Sequence, residues 1–151
     1  MIRILFVCHG NICRSPMAEF ILRDMAAKRG LSDRLEVASA GTSAEELGNP
    51  VYPPARRELA RHGLSCAGKT ARQMTKEDYR SYDLVVCMES FNTRNLIRRL
   101  GGDPEGKIRR LLDFTDRPRD IADPWYSGDF ETAYAEIAEG CAALLDKLFQ
   151  E

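Results

Sequence analysis

No stretch of this sequence approaches the ~20 consecutive apolar residues of a membrane-spanning helix, which excludes a helical integral membrane protein. The apolar run Ile2–Val7 is too short for a signal-peptide core, and no small-residue cleavage site follows it, so a cytoplasmic protein away from membranes is expected. Charge of one sign is missing too. The 22 Lys and Arg face 23 Asp and Glu, for a formal net charge of −1, so no basic field recommends nucleic acid or an anionic lipid surface as a partner. Five cysteines (Cys8, Cys13, Cys66, Cys87, Cys141) make an odd count without a secretory signal, which argues against a disulfide framework. No second Cys or His pair joins Cys8 and Cys13 to complete a tetrahedral zinc site, so no metal is expected. Internal repeats, low-complexity segments and linkers are also absent. With 44% hydrophobic and 30% charged residues in a 151-residue chain, the expectation is one soluble globular domain over residues 1–151.

What is present alternates between strand-like and helix-like patterns. Residues 2–7 form a continuous apolar run with β-branched members, suited to a strand covered on both faces. Pro16 opens a helix over residues 16–29 with Met17, Phe20, Ile21 and Met25 at helical spacing, stopped by Gly30. Further strands are expected at Leu35–Ala40, Asp83–Met88 and Ile108–Phe114, and further helices at Pro54–His62, Ser90–Leu100 and Phe130–Phe149. This order predicts an α/β fold: a parallel sheet with helices on both faces and right-handed crossovers. In such sheets ligands bind beyond the carboxyl ends of the strands. The Gly-, Pro- and charge-rich loops Ser43–Pro54, Gly101–Gly106 and Arg117–Gly128 are expected to rim that site.

The segment Cys8-His9-Gly10-Asn11-Ile12-Cys13-Arg14-Ser15 lies where the first strand hands over to the first helix. A turn this tight points successive backbone N–H groups inward, and Gly10 and Asn11 tolerate the dihedrals it demands. The concave set of N–H groups, capped by a helix N-terminus, is an anion site of roughly phosphate size. Arg14 adds a planar fork for two phosphate oxygens. The same positive field favours the thiolate of Cys8, which then faces a bound tetrahedral anion. Attack on phosphorus would give a phosphocysteine, with the loop amides and Arg14 stabilising the equatorial oxygens. Ser15 is placed to donate its hydroxyl to the sulfur. The nucleotide-binding pattern Gly-x4-Gly-Lys-Ser/Thr is absent. For a general acid, Asp113, Asp116, Asp120 and Asp123 are all eligible on chemistry alone.

The run Val7-Cys8-His9-Gly10-Asn11-Ile12-Cys13-Arg14-Ser15-Pro16-Met17-Ala18-Glu19 resembles the signature of the low-molecular-weight protein tyrosine phosphatase family. Ser39-Ala40-Gly41-Thr42, Ala71-Arg72-Gln73, Cys87-Met88 and Asp123-Pro124 resemble the family in the same order along the whole chain. The resemblance implies a three-layer α/β/α fold with a four-stranded parallel sheet and the phosphatase loop between the first strand and first helix. It implies cofactor- and metal-free hydrolysis of a phosphotyrosine protein or peptide through phosphocysteine, with inorganic phosphate as product, by a monomer. Among the four aspartates it singles out Asp123 as general acid and then base. It makes Asn11 the residue that holds the loop's strained shape, and Trp125 and Tyr126 a wall for the substrate ring. It pairs Cys8 with Cys13 in a reversible disulfide that protects the nucleophile, Cys8 being the oxidisable partner.

Three positions bear on substrate and loop support. Related protein-arginine phosphatases carry threonine where this chain has Ile12, so Ile12 favours phosphotyrosine. Many bacterial relatives place an aromatic residue at the rim where this chain has Glu45-Glu46, and two carboxylates there disfavour acidic peptide flanks. Lys69 replaces a histidine that often supports the loop in the family, which puts those supporting hydrogen bonds at issue. A thiol-dependent arsenate reductase also begins with Cys-x5-Arg, but its relay of two further cysteines finds no partner for Cys87 within several residues. A non-catalytic phosphate-binding module would need neither Cys8 nor Asp123.

Overall fold

The computed structural model describes residues 1–150. Strands β1 (Ile2–Cys8), β2 (Leu35–Gly41), β3 (Leu84–Cys87) and β4 (Ile108–Arg110) form one parallel sheet in the order β2-β1-β3-β4. Helices α1 (Arg14–Lys28), α2 (Pro53–Arg61), α3 (Lys76–Ser81), α4 (Ser90–Leu100), α5 (Pro124–Ser127) and α6 (Phe130–Leu148) complete the chain, with 3-10 turns at Ser32–Arg34 and Leu111–Phe114. No described helix is long and apolar enough to cross a membrane.

The period-two geometry of a strand divides β1 between two cores. Ile4 and Phe6 join Met17, Ile21 and Leu22 of α1, Leu59 of α2, and Ile137, Leu144 and Leu145 of α6. Leu5 and Val7 face the opposite side, with Tyr79 of α3, Leu96 of α4 and Val85 and Cys87 of β3. All four β1 side chains are fully buried, each contributing ~1.5–3 kcal/mol. The result is the α/β/α sandwich that the alternating pattern predicts. Register pairs Cys8 with Gly41 and Val7 with Cys87, so the carboxyl ends of three strands meet at one edge. The loop 9–13 leaves from that edge, at the centre of the sheet.

Three local readings are corrected. The strand expected over Ile108–Phe114 stops at Arg110, where Asp113 accepts from the Arg110 backbone N (3.1 Å) and Nε (3.0 Å) and turns the chain into a 3-10 helix. Ile108, Leu111 and Leu112 follow a helical spacing, not an alternating one. Gly140 of α6 leaves room for the Leu111 side chain, which a Cβ there would meet head-on. Helix α3 was not expected, although Thr75 and Asp78 cap it reciprocally, a pattern readable as Ser/Thr-x-x-Asp/Glu. Helix α1 also starts at Arg14, two residues before Pro16, with Cys13 as its N-cap.

Candidate active site

The loop between β1 and α1 is fixed from below and from the side. Asn11 adopts φ 60°, the one positive φ among the described non-glycine residues, a conformation that costs energy unless its surroundings impose it. Its Nδ2 donates to Ser15 Oγ (2.8 Å) and Ser39 Oγ (3.0 Å), and its Oδ1 accepts from the Arg72 amide (3.1 Å). The chain after β2 clasps the loop: the Thr42 and Ser43 amides donate to the carbonyls of Cys8 (2.9 Å) and His9 (3.0 Å). That approach requires Gly41, since a Cβ there would lie 2.7 Å from the His9 carbonyl oxygen.

Cys8 ends β1 nearly buried, its Sγ 2.9 Å from Ser15 Oγ. Arg14 is only 2% exposed yet charged. Its Nη1 donates to Glu89 Oε2 (2.8 Å) and to the Ile121 carbonyl (2.7 Å), while Nη2 lies 3.4 Å from Asp123 Oδ2. Burial alone would lower the Arg14 guanidinium, but interaction with Cys8, Asp123 and Glu89 outweighs it and raises the pKa. Asp123 caps α5 by accepting from the Trp125 amide through Oδ1 (3.0 Å), which turns Oδ2 toward Arg14. A cysteine sulfur, a buried cation and a carboxylate thus share one recess. Of the other eligible aspartates, Asp113 and Asp120 are both paired to Arg110 and Asp116 is exposed. None of the three lines the recess.

Residues 3–151 match the model of the family described as low molecular weight phosphotyrosine protein phosphatase. The chain belongs to this family. It is 40% identical to the low molecular weight protein-tyrosine-phosphatase YfkJ of Bacillus subtilis, over 100% of this chain and 98% of that one. It is 39% identical to the low molecular weight phosphotyrosine protein phosphatase of Homo sapiens, covering 95% and 94% of the two chains. The crystal structure of YfkJ superposes with a TM-score of 0.95 at 41% identity, over 98% of this chain and 94% of that one. The crystal structure of DARP, a drosophila arginine phosphatase, shares the fold with a TM-score of 0.87 at 31% identity, over 98% of both chains.

In this member of the low molecular weight phosphatases the rim differs on its two sides. One side is aromatic: Trp125, half exposed, packs on Tyr52 with ring centroids 4.6 Å apart, Tyr52 leans on Phe130 at 6.0 Å, and Tyr126 stands 86% exposed. The other side carries Glu45 and Glu46. Glu45 Oε2 pairs with His9 Nε2 at 3.2 Å, and Glu46 Oε2 accepts from Asn49 Nδ2 at 2.6 Å. Gly10, Ile12 and Cys13 line the recess between the two sides. Burial pushes the Cys13 thiol well above its ordinary value. Among the described residues no group of three His, Cys, Asp or Glu side chains is arranged to hold a metal ion.

Lys69 keeps the support that its replacement of histidine put at issue. Its Nζ donates to the Ser39 carbonyl (2.9 Å) and lies 3.6 Å from Glu19 Oε1, while Ser39 Oγ donates to the same oxygen (2.6 Å). Burial, with Arg72 and Arg23 nearby, holds the Lys69 ammonium below its ordinary value against the pull of Glu19. A continuous chain of polar contacts therefore runs from Lys69 through Ser39, Asn11 and Ser15 to Cys8. No role was read from the sequence for Glu89, Glu19, Tyr52 or the Ile121 carbonyl. Glu89 had a signal, since it follows the β3 run Leu84–Cys87 at the edge where sheet ligands bind; the others are brought in only by the tertiary fold.

Proposed function

We propose that this chain is a protein tyrosine phosphatase working through a phosphocysteine on Cys8. The observation that carries this reading is the convergence of Cys8 Sγ, the braced guanidinium of Arg14 and the Asp123 carboxyl on one recess. The amides of the loop and the Arg14 fork hold the phosphate oxygens with their charge already in place, the arrangement that lowers a barrier most. A lone pair of the Cys8 thiolate attacks phosphorus as the P–O bond to tyrosine breaks. The protonated Asp123 carboxyl gives its proton to the departing phenolate oxygen. Water then attacks the phosphocysteine, Asp123 accepts its proton, and the S–P electrons return to Cys8 as inorganic phosphate leaves. The Ser15 hydroxyl, 2.9 Å from Sγ, supports that thiolate as leaving group.

Ile12 supports a phosphotyrosine substrate over phosphoarginine, given the threonine that related arginine phosphatases carry there, and Trp125 and Tyr126 offer a face to an aryl ring. The odd count of five cysteines supports a reducing, cytoplasmic setting, in which Cys13 acts as the resolving partner of Cys8. Steady-state hydrolysis of p-nitrophenyl phosphate tests the central reading. Wild type is expected to turn over and Cys8→Ser to be inert; activity retained in Cys8→Ser would remove the phosphocysteine route.

A further inference from the structure

The recess reverses its charge between floor and mouth. At the floor the loop amides and Arg14 are positive, but Arg14 is 2% exposed and committed to Glu89, Ile121 and Asp123. At the mouth the Glu45 side chain is 72% exposed, and Glu46 stands beside it. Among the described residues no Lys and no second Arg lines the recess. The Glu46 stem is packed on the loop, its Cγ 3.3 Å from where a Gly10 Cβ would stand, and Asn49 holds only one of its two oxygens. Glu45 holds only His9, whose side chain is itself 44% exposed. Trp125 and Tyr126, which also line the recess, are uncharged.

We infer that Glu45 and Glu46 select phosphotyrosine segments flanked by Lys or Arg. This rests on the phosphatase reading and specifies the substrate class of the same site. The two carboxylates are not a binding site of their own. They act on a peptide already anchored by its phosphate, which brings the flanking side chains within a few ångströms of the mouth. A cation there gains contact with a fixed carboxylate at Glu46 and an exchangeable one at Glu45, while an acidic flank meets repulsion from both. Exposed pairs are individually weak and salt-sensitive, so the selection is a graded preference expressed mainly in the association step.

The test compares kcat/KM for phosphotyrosine peptides identical except for Lys or Asp at the flanking positions, with p-nitrophenyl phosphate measured alongside. Wild type is expected to favour the Lys peptide roughly tenfold at about 0.01 M salt and to lose most of that ratio at about 1 M. In Glu45→Gln/Glu46→Gln the ratio is expected to fall toward one, and in Glu45→Lys/Glu46→Lys to invert. Equal rates for the two peptides in a wild type that hydrolyses p-nitrophenyl phosphate would overturn this inference and leave the phosphatase reading standing. A ratio undiminished in the glutamine variant would overturn the assignment to these residues. A wild type inert toward p-nitrophenyl phosphate would remove the phosphatase reading and this inference with it.

Discussion

Asn11, buried behind the loop that floors the recess, and Tyr126, which lines the recess, could hardly be held more differently. Asn11 is 1% exposed, its backbone is left-handed, and its side chain makes three hydrogen bonds, to α1, to β2 and to the segment before α3. Tyr126 is 86% exposed, and among the described residues its hydroxyl has no hydrogen-bond partner. Under the proposed mechanism the floor must meet charge that develops on phosphorus, where a misplacement of about 1 Å costs on the order of 10²-fold in rate, and it is the over-determined part. The rim meets a ring and a peptide flank, which tolerate adjustment. On this reading chemistry sits where the fold is least free, and selectivity where the side chains are most exposed.

Breaking the floor should show the largest effects. Asp123→Asn keeps the cap on α5 through its side-chain oxygen but removes the transferable proton, and kcat on aryl phosphates should fall about 10²–10⁴-fold. The loss should be smaller for esters with better leaving groups, which need less protonation; an unchanged kcat would move the acid role elsewhere. A redox measurement probes the same floor. In the proposed redox role, peroxide would convert the Cys8 thiolate to a sulfenic acid, and the Cys13 thiol would then displace hydroxide from that sulfur to form the disulfide. Wild type should recover nearly all activity on adding thiol, whereas Cys13→Ser should recover little. Equal recovery would leave Cys13 as a packing residue only.

Asn11→Ala comes next, because it leaves a strained backbone without the bonds that impose it. The variant should lose about 2–4 kcal/mol of stability and also kcat, with urea unfolding and p-nitrophenyl phosphate turnover as readouts. A stable variant of reduced kcat would place the effect on loop shape alone; full activity would contradict the bracing role of the network.

The loop, its flanking strand and its helix were legible because each signal was local. The continuous run Ile2–Val7 needs burial on both faces, Gly10 and Asn11 permit the turn, and Pro16 suits a first helical turn. Ile108–Phe114 was misread because a short apolar run fits either period, and the turn at Arg110 depends on one carboxylate three residues on. The roles of Glu19, inside α1, and Tyr52, just before α2, were invisible for a different reason. Each role comes from a partner far away in sequence, as with Glu19 bonded to Ser39. The resemblance to a family drew attention to Lys69 as a departure, yet only the structure shows a lysine bonded to the Ser39 carbonyl and approaching Glu19, feeding the same chain of contacts.

On the rim, Trp125→Ala should be far milder than any floor substitution. Losing a stacking face is worth ~0.5–1.5 kcal/mol, or about 2- to 10-fold in kcat/KM for a phosphotyrosine peptide, carried in KM. Inorganic phosphate inhibition, which reads only the floor, should barely change. A large loss of phosphate affinity in this variant would mean that the aromatic wall also braces the loop through Tyr52, whose amide donates to the Ile12 carbonyl at 2.9 Å.

The smallest effect is expected from Asp120→Asn, three residues before Asp123 but outside the recess. Burial alone would raise the Asp120 carboxyl, but hydrogen bonds from the Ser90 amide, Arg110 and the Ser90 hydroxyl outweigh it and hold it below the ordinary carboxylate range. The folded chain therefore binds this proton less readily than the unfolded chain. The resulting stability is fully present above the unfolded value of ~3.9 and is lost as pH falls through the lower folded value. Because the group is largely exposed, the increment is only about 0.2–1 kcal/mol. Melting curves of wild type and Asp120→Asn should differ slightly at pH 7 and converge as the pH drops below about 4, with kcat the same in both. A gap that widens in acid would contradict the sign of the shift. A kcat loss matching that of Asp123→Asn would mean that position in the recess does not decide which of these aspartates handles the proton.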